Sequence, residues 1–214
     1  MRLFLRETGL GLPAATGLVL VCTSLLSGCA GETQPELTAA EGTRAAQIGE
    51  VAAGELLRTL VGRLATAMEE GGAAHAVEFC SAEAIPLTQL VEAGLTGELH
   101  LKRTSFRSRN LENIPDEAEE MALRYFEDAI LAGGELPSSY VQRVSETELR
   151  YYKPLFLWEM CLQCHGDPEA MDPAVREIIQ ERYPGDLATG YKAGDFRGVV
   201  RVSIPAMMGE AGER

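Results

Sequence analysis

The pentapeptide Cys161-Leu162-Gln163-Cys164-His165 constrains this chain more than any other stretch. Two thiols three positions apart, followed at once by an imidazole, form the CxxCH attachment signature of c-type haem. Each thiol can add to one vinyl group of the porphyrin, and the imidazole lies close enough to bind the iron as its proximal ligand. Gly166 and Asp167 then give a flexible turn that lets the backbone leave the haem edge. The chain holds only 5 Cys and 3 His in 214 residues. At that composition a chance CxxCH has odds on the order of one in several hundred. A thioredoxin-like redox pair would need a strand-to-helix junction in a βαβ setting, which the residues after Asp167 do not resemble. A zinc site would need four ligands, and no second CxxC or HxxxH accompanies the first.

The N-terminus sets the expected compartment. Arg2 and Arg6 form a positive region, and Ala14 to Leu26 is apolar. This stretch is short for a membrane span and reads as a secretory signal over residues 1–28. It closes on Leu26-Ser27-Gly28-Cys29, a bacterial lipobox pattern. Small residues admit the peptidase, and the Cys29 thiol takes the lipid. Residues 29–36 then form a small polar tether, and 37–214 one domain. The expected partner is a lipid membrane, reached through acylated Cys29. The expected location is the periplasmic side of a bacterial membrane, the outer membrane rather than the inner, because no Asp follows Cys29. Thioether attachment takes place outside the cytoplasm, so export and CxxCH agree. With Cys22 removed, Cys29 lipidated, and Cys161 and Cys164 bound to haem, one cysteine is left over, Cys80.

The formal charge is −13 and becomes one unit more negative once Arg2, Arg6 and Glu7 leave with the signal. So acidic a surface argues against nucleic acid and anionic headgroups as partners. It suits a basic redox or signalling protein partner, although solubility explains it equally well. No Ser/His/Asp triad, P-loop or carboxylate motif rises above background, so an enzyme is not expected.

Helical spacing of Ile48, Val51, Leu57, Leu60, Val61, Leu64 and Met68 predicts one long helix over 37–70. Gly54 is a candidate break, and Gly71-Gly72 the end. A second helix starts near Ala73 and carries His75, Val77, Phe79 and Cys80; Pro86 starts or bends a third. Residues 98–104 alternate with period two and predict a strand. Residues 107–113 read as a loop. Pro115-Asp116-Glu117 opens a helix that runs to Leu131. Strands are expected at 140–144, 149–152, 155–157 and 198–204, with a short helix over 173–182. Helices first and an antiparallel meander afterwards define an α+β fold.

Several pieces stand together with CxxCH. They are Tyr183-Pro184-Gly185-Asp186, Gly190-Tyr191, Gly194-Asp195, Arg197-Gly198 and a closing strand. Upstream lie Ala76-Val77-Glu78-Phe79-Cys80, Arg103-Thr104-Ser105, Arg109-Asn110 and Pro115. Over roughly Leu56 to Pro205 the chain resembles a bacterial c-type haem family classed as a domain of unknown function. Its members occur as small exported haem proteins and as sensory domains ahead of histidine kinases. The resemblance implies a PAS-like antiparallel sheet with inserted helices and a single covalent haem c. It also implies axial ligation of the iron by the CxxCH histidine, His165 here, and by a helix cysteine at the position of Cys80. No kinase follows Arg214, so signalling through a fused kinase is not expected.

The residues alone leave the distal ligand open among Cys80, His75, His100, Met68, Met160, Met171, Met207 and Met208. A thiolate from Cys80 would favour ferric iron. His100 alternates with Leu99 and Leu101 and reads as surface. Met160 is too near the attachment cysteine to reach the far haem face. His75 lies about 140° round the helix from Cys80, so the two cannot share an iron. Arg103, Arg107 and Arg109 stand out in an acidic chain as a solvated basic face or as clamps for haem propionates, with Arg107 and Arg109 chosen. Trp158 and Phe156 are expected in the pocket wall or core. The functional expectation is haem-based redox or gas sensing or binding. Its rival is periplasmic electron transfer to a membrane partner. A peroxidase would need a distal catalytic pair that the sequence does not offer.

Overall fold

The computed structural model describes residues 36–206. The lipobox with Cys29, the signal segment, most of the tether, and Met207 and Met208 lie outside the described residues. The order of elements is α1 (Ala39–Gly94), β1 (His100–Thr104), α2 (Glu117–Leu131), β2 (Tyr140–Arg143), β3 (Glu148–Phe156), α3 (Leu162–His165), α4 (Pro173–Arg182) and β4 (Phe196–Pro205). The four strands form one antiparallel sheet in the order β1-β4-β3-β2. The architecture is the expected α+β class. The last strand in sequence fills the gap between the first and the third.

Thr38 starts α1 through a reciprocal cap. Its hydroxyl accepts from Glu41 N at 3.3 Å, and Glu41 accepts from Thr38 N at 3.0 Å. The buried stripe of this helix is made of small residues, Ala45, Gly49, Ala52 and Ala53, followed by Leu56. Small side chains let the helix lie close on the sheet. A Cβ at Gly49 would stand 2.1 Å from the Tyr151 ring. The helix covers Leu99, Leu101, Leu149, Tyr151, Val200, Val202 and Ile204, which form the main core with it. Each such aliphatic side chain contributes about 1.5–3 kcal/mol on full burial. On the opposite face, Ala122, Leu123 and Phe126 of α2 pack on Tyr152 and Val199.

The long first helix differs from the expectation in an informative way. Gly54 does not interrupt it, and the backbone breaks at Gly72 instead (φ 73°, ψ −168°). That left-handed φ suits glycine. Two helical arms result. The first lies on the sheet; the second carries Val77, which packs with Met171, Val175 and Ile179. Pro86 does not start a new helix but lies within this second arm.

Two expected strands, 149–152 and 155–157, are one strand through Pro154. The partner β2 ends opposite Tyr152, so at Pro154 strand β3 has a free edge. A strand tolerates proline at such an edge. The expected loop contains a short 3-10 turn at Leu111–Asn113.

Candidate functional site

The attachment motif is folded into a tight turn. Leu162–His165 form α3, preceded by a 3-10 turn over Glu159–Cys161. Cys161 N donates to Trp158 O at 2.9 Å, and Trp158 N to the Cys161 sulfur at 3.4 Å. This local winding brings residues separated by two intervening positions to one side of the segment.

A distant loop then holds the segment from behind. Tyr191 N donates to His165 O at 2.9 Å, and Gly190 N to Gly166 O at 2.7 Å. His165 Nδ1 stands 2.6 Å from Ala188 O. A carbonyl can only accept, so Nδ1 carries the proton and Nε2 keeps its lone pair. The edge of Tyr191 meets the imidazole at 6.4 Å with rings at 85°. Burial, with help from the nearby Arg109 and Arg197 charges, depresses the imidazole pKa to about 3. The ring is therefore neutral at ordinary pH, the form in which histidine binds a metal.

Arg109 is the main strut. Its guanidinium grips Asp186 through two bonds, Nε to Oδ1 at 3.1 Å and Nη2 to Oδ2 at 3.0 Å. The same Nη2 donates to Cys164 O at 2.7 Å and to Ala188 O at 3.3 Å. Arg107 donates from Nε to Leu187 O at 3.1 Å and from Nη2 to Thr189 O, and lies 3.9 Å over the Tyr191 ring. Both arginines chosen from sequence as propionate contacts thus hold the 186–191 loop. Arg103 and Arg197 approach the site too, without such partners.

Cys80 comes to the motif from the second arm of α1. Cys164, Arg103, Arg109 and Tyr183 are its titratable neighbours. Cys164 itself packs against the Val77 cluster. Burial raises the Cys80 thiol pKa, while Arg103 and Arg109 pull it down. The structure therefore brings Cys161, Cys164, His165, Cys80, Arg107 and Arg109 into one region. The other histidines are engaged elsewhere, and the methionines differ in position. His100 is exposed and pairs with Glu92 at 3.1 Å. His75 is exposed near Glu70. Met171 packs with Val77, Val175 and Ile179 in the cluster that Cys164 also joins, and Met160 is exposed. Trp158, expected in the wall or core, is 66% exposed. Leu157 turns inward against Ala188 and Tyr191, and the alternation puts Trp158 on the outside. A groove of about 880 Å³ runs beside the motif between Gly72, Leu162, Gln163 and Val175. Neither Cys161, Cys164 nor His165 lines it.

Arg197 also comes near His165, although in the sequence it stands out only as part of the Arg197-Gly198 pair. The signal that could have found it is the glycine after it, in a strand otherwise rich in valine.

Fold and site together define an α+β domain in which a helix cysteine faces a thiol–thiol–imidazole turn. The chain belongs to the Tll0287-like family, which it matches over residues 33–205. The resemblance drawn from its motifs agrees with that membership. The crystal structure of the cyanobacterial heme-protein Tll0287 has the same fold. The match has a TM-score of 0.57 at 24% identity, covering 75% of this chain and 96% of that one. No functionally curated protein matches the chain.

Proposed function

We propose that this protein binds one haem c, attached through Cys161 and Cys164 and ligated by His165 and Cys80, and serves as a redox- or gas-responsive haem protein. The observation that carries the reading is the His165 ring. Its Nδ1 is fixed on Ala188 O, which leaves a neutral Nε2 as a metal donor directly after two thiols. The structural likeness to a cyanobacterial haem protein supports the same reading.

The residues present fit the group by their chemistry. A neutral imidazole supplies a proximal donor, and a thiol on a separate helical arm a distal one. The haem, when bound, supplies an iron centre that changes oxidation state and can exchange a ligand. The chain's own residues do the rest. Ala188 orients the imidazole, Arg109 and Asp186 hold the backbone at Cys164, and Tyr191 closes against the ring. Export and acylation at Cys29 belong to the same proposal and rest on the lipobox. They would place the protein on the periplasmic side of the outer membrane.

Intact mass of protein made with the cytochrome c maturation system is expected to show one covalent haem. The C161A/C164A variant is expected to hold none covalently; covalent haem in that variant overturns the attachment. Electron transfer is the second reading, favoured by exposed Trp158 beside the attachment turn. Optical spectra with CO and NO separate the two. A responsive site exchanges its distal ligand, whereas an electron carrier stays six-coordinate and cycles rapidly.

A further inference from the structure

Arg109 and Arg197 lie beside the CxxCH segment and Arg103 beside Cys80, and Asp186 forms an ion pair with only one of the three, Arg109. Among the described residues, the Arg103 and Arg197 side chains make neither an ion pair nor a hydrogen bond. They reach the site from neighbouring strands by different routes. Arg103 lies on β1 opposite Val200. It shares the sheet face of Leu99 and Leu101, which is the face covered by α1. Its titratable neighbours are the Cys80 thiol, the Tyr183 hydroxyl and Arg197.

Arg197 would face the other way in a regular strand. It is instead the extra residue of a β-bulge. Leu155 pairs with Gly198 and Phe156 with Phe196, so Arg197 has no partner on β3. A bulge re-aims the side chain that it carries. Gly198 makes this one possible. Its φ is 142°, and a Cβ there would stand 2.3 Å from Thr104 O. Arg197 consequently sits 5.5 Å from the Tyr191 ring, among Arg109, Asp186 and Arg103, and within electrostatic reach of His165.

Two half-buried guanidiniums that repel each other and lack a counter-ion are costly. Carboxylates are not scarce in this chain, which holds 32 acidic residues against 19 basic ones. The fold nonetheless places none in contact with either guanidinium among the described residues. A planar guanidinium fork matches a carboxylate bidentately.

We propose that Arg103 and Arg197 are the residues that bind the two carboxylates of the ligand held by the CxxCH turn. On the haem reading, on which this inference rests, these are the two propionates. Arg107 and Arg109 brace the loop behind the imidazole. Lost positive charge at either residue raises the pKa of the propionate that it holds.

The test uses the holoprotein and first establishes by intact mass that one haem is bound. Absence of haem in the wild type defeats the haem reading and is distinguishable from failure of this inference. The reduction potential is then followed against pH in wild type, R103Q, R197Q, R103K and the surface control R58Q. Propionate ionisation appears as an inflection. R103Q and R197Q are each expected to shift one inflection upward by about one pH unit. R103K, which keeps the charge, is expected to leave the inflection close to its wild-type position, and R58Q to cause no shift. Haem-loaded R103Q and R197Q with unmoved inflections overturn the assignment. Should the glutamine variants fail to mature, the C161A/C164A background is titrated with protohaem and with its dimethyl ester. Each arginine variant is then expected to weaken protohaem binding about tenfold and to leave ester binding unchanged. Equal weakening of both ligands overturns the proposal.

Discussion

The α2 face of the sheet and the CxxCH end of its α1 face differ in how their charges are met. Between α2 and the sheet, charges are paired at close range. Glu119, whose side chain is fully buried, accepts from Lys102 Nζ at 2.6 Å and Arg201 Nε at 3.1 Å. Arg150 joins Asp116 at 2.7 Å and Glu148 at 2.9 Å, and Ser203 donates to Glu148 at 2.5 Å. On the α1 face, at the CxxCH end, Arg103 and Arg197 lack such partners and the three cysteines are free. A saturated network holds one packing of helix on sheet. An unsaturated one keeps its capacity to bind. The contrast separates residues that maintain this fold from residues that give it something to do.

That contrast breaks first at Glu119. The E119A variant leaves Lys102 and Arg201 facing each other without their anion, and should lose about 3–5 kcal/mol of stability in urea unfolding. A loss below about 1 kcal/mol would mean that the network contributes little. The bulge comes next. G198A forces a side chain into a positive-φ position against Thr104 O, and a loss of about 1–3 kcal/mol is expected. An unchanged unfolding midpoint would show that the backbone relaxes there freely.

Cys80 sharpens the other side of the comparison. C80A should cost only about 1 kcal/mol, as a small cavity does. In the haem-loaded protein it should move the ferric spectrum toward high spin and raise the reduction potential. Loss of an anionic ligand destabilises Fe(III) more than Fe(II). An unaltered electron paramagnetic resonance signal would remove Cys80 from the iron.

The smallest effect is expected at the α1 cap. Hydrogen bonds from Arg143 and the Thr38 backbone lower the Glu41 pKa from 4.5 to about 2. Protons therefore bind the unfolded chain more readily than the folded one in this window. The contribution is complete above about pH 4.5 and fades as pH falls toward 2. Thermal midpoints of wild type and E41Q should converge over that range. A constant gap would place the acid-sensitive group elsewhere.

Much of the framework was legible because it is written in local chemistry. The Asp116 cap of α2, proline at the start of α4 and the alternation before Thr104 each fix an element from a few neighbouring residues. The motif residues were legible for the same reason. What escaped the sequence depends on partners far along the chain. Pro154 reads as a strand terminator unless it is known that β2 stops at Tyr152. Arg109 reads as a free cation unless Asp186 is beside it. Arg197 stands just ahead of the expected strand 198–204 and has no assigned direction until the bulge at Gly198 is seen. Trp158 reads as a pocket wall until Leu157 takes the inward position.

The strand order also has a consequence in time. The central strand β4 is the last to be synthesised, and the loop that fixes His165 comes just before it. Cys80, by contrast, belongs to the first helix. A chain emerging from its N-terminus therefore presents both motif thiols on polypeptide that cannot yet close around them. Closure requires contacts between residues far apart in sequence, which form slowly. The order of synthesis alone leaves an interval in which Cys161 and Cys164 are accessible before Ala188, Tyr191 and the final strand seal the region.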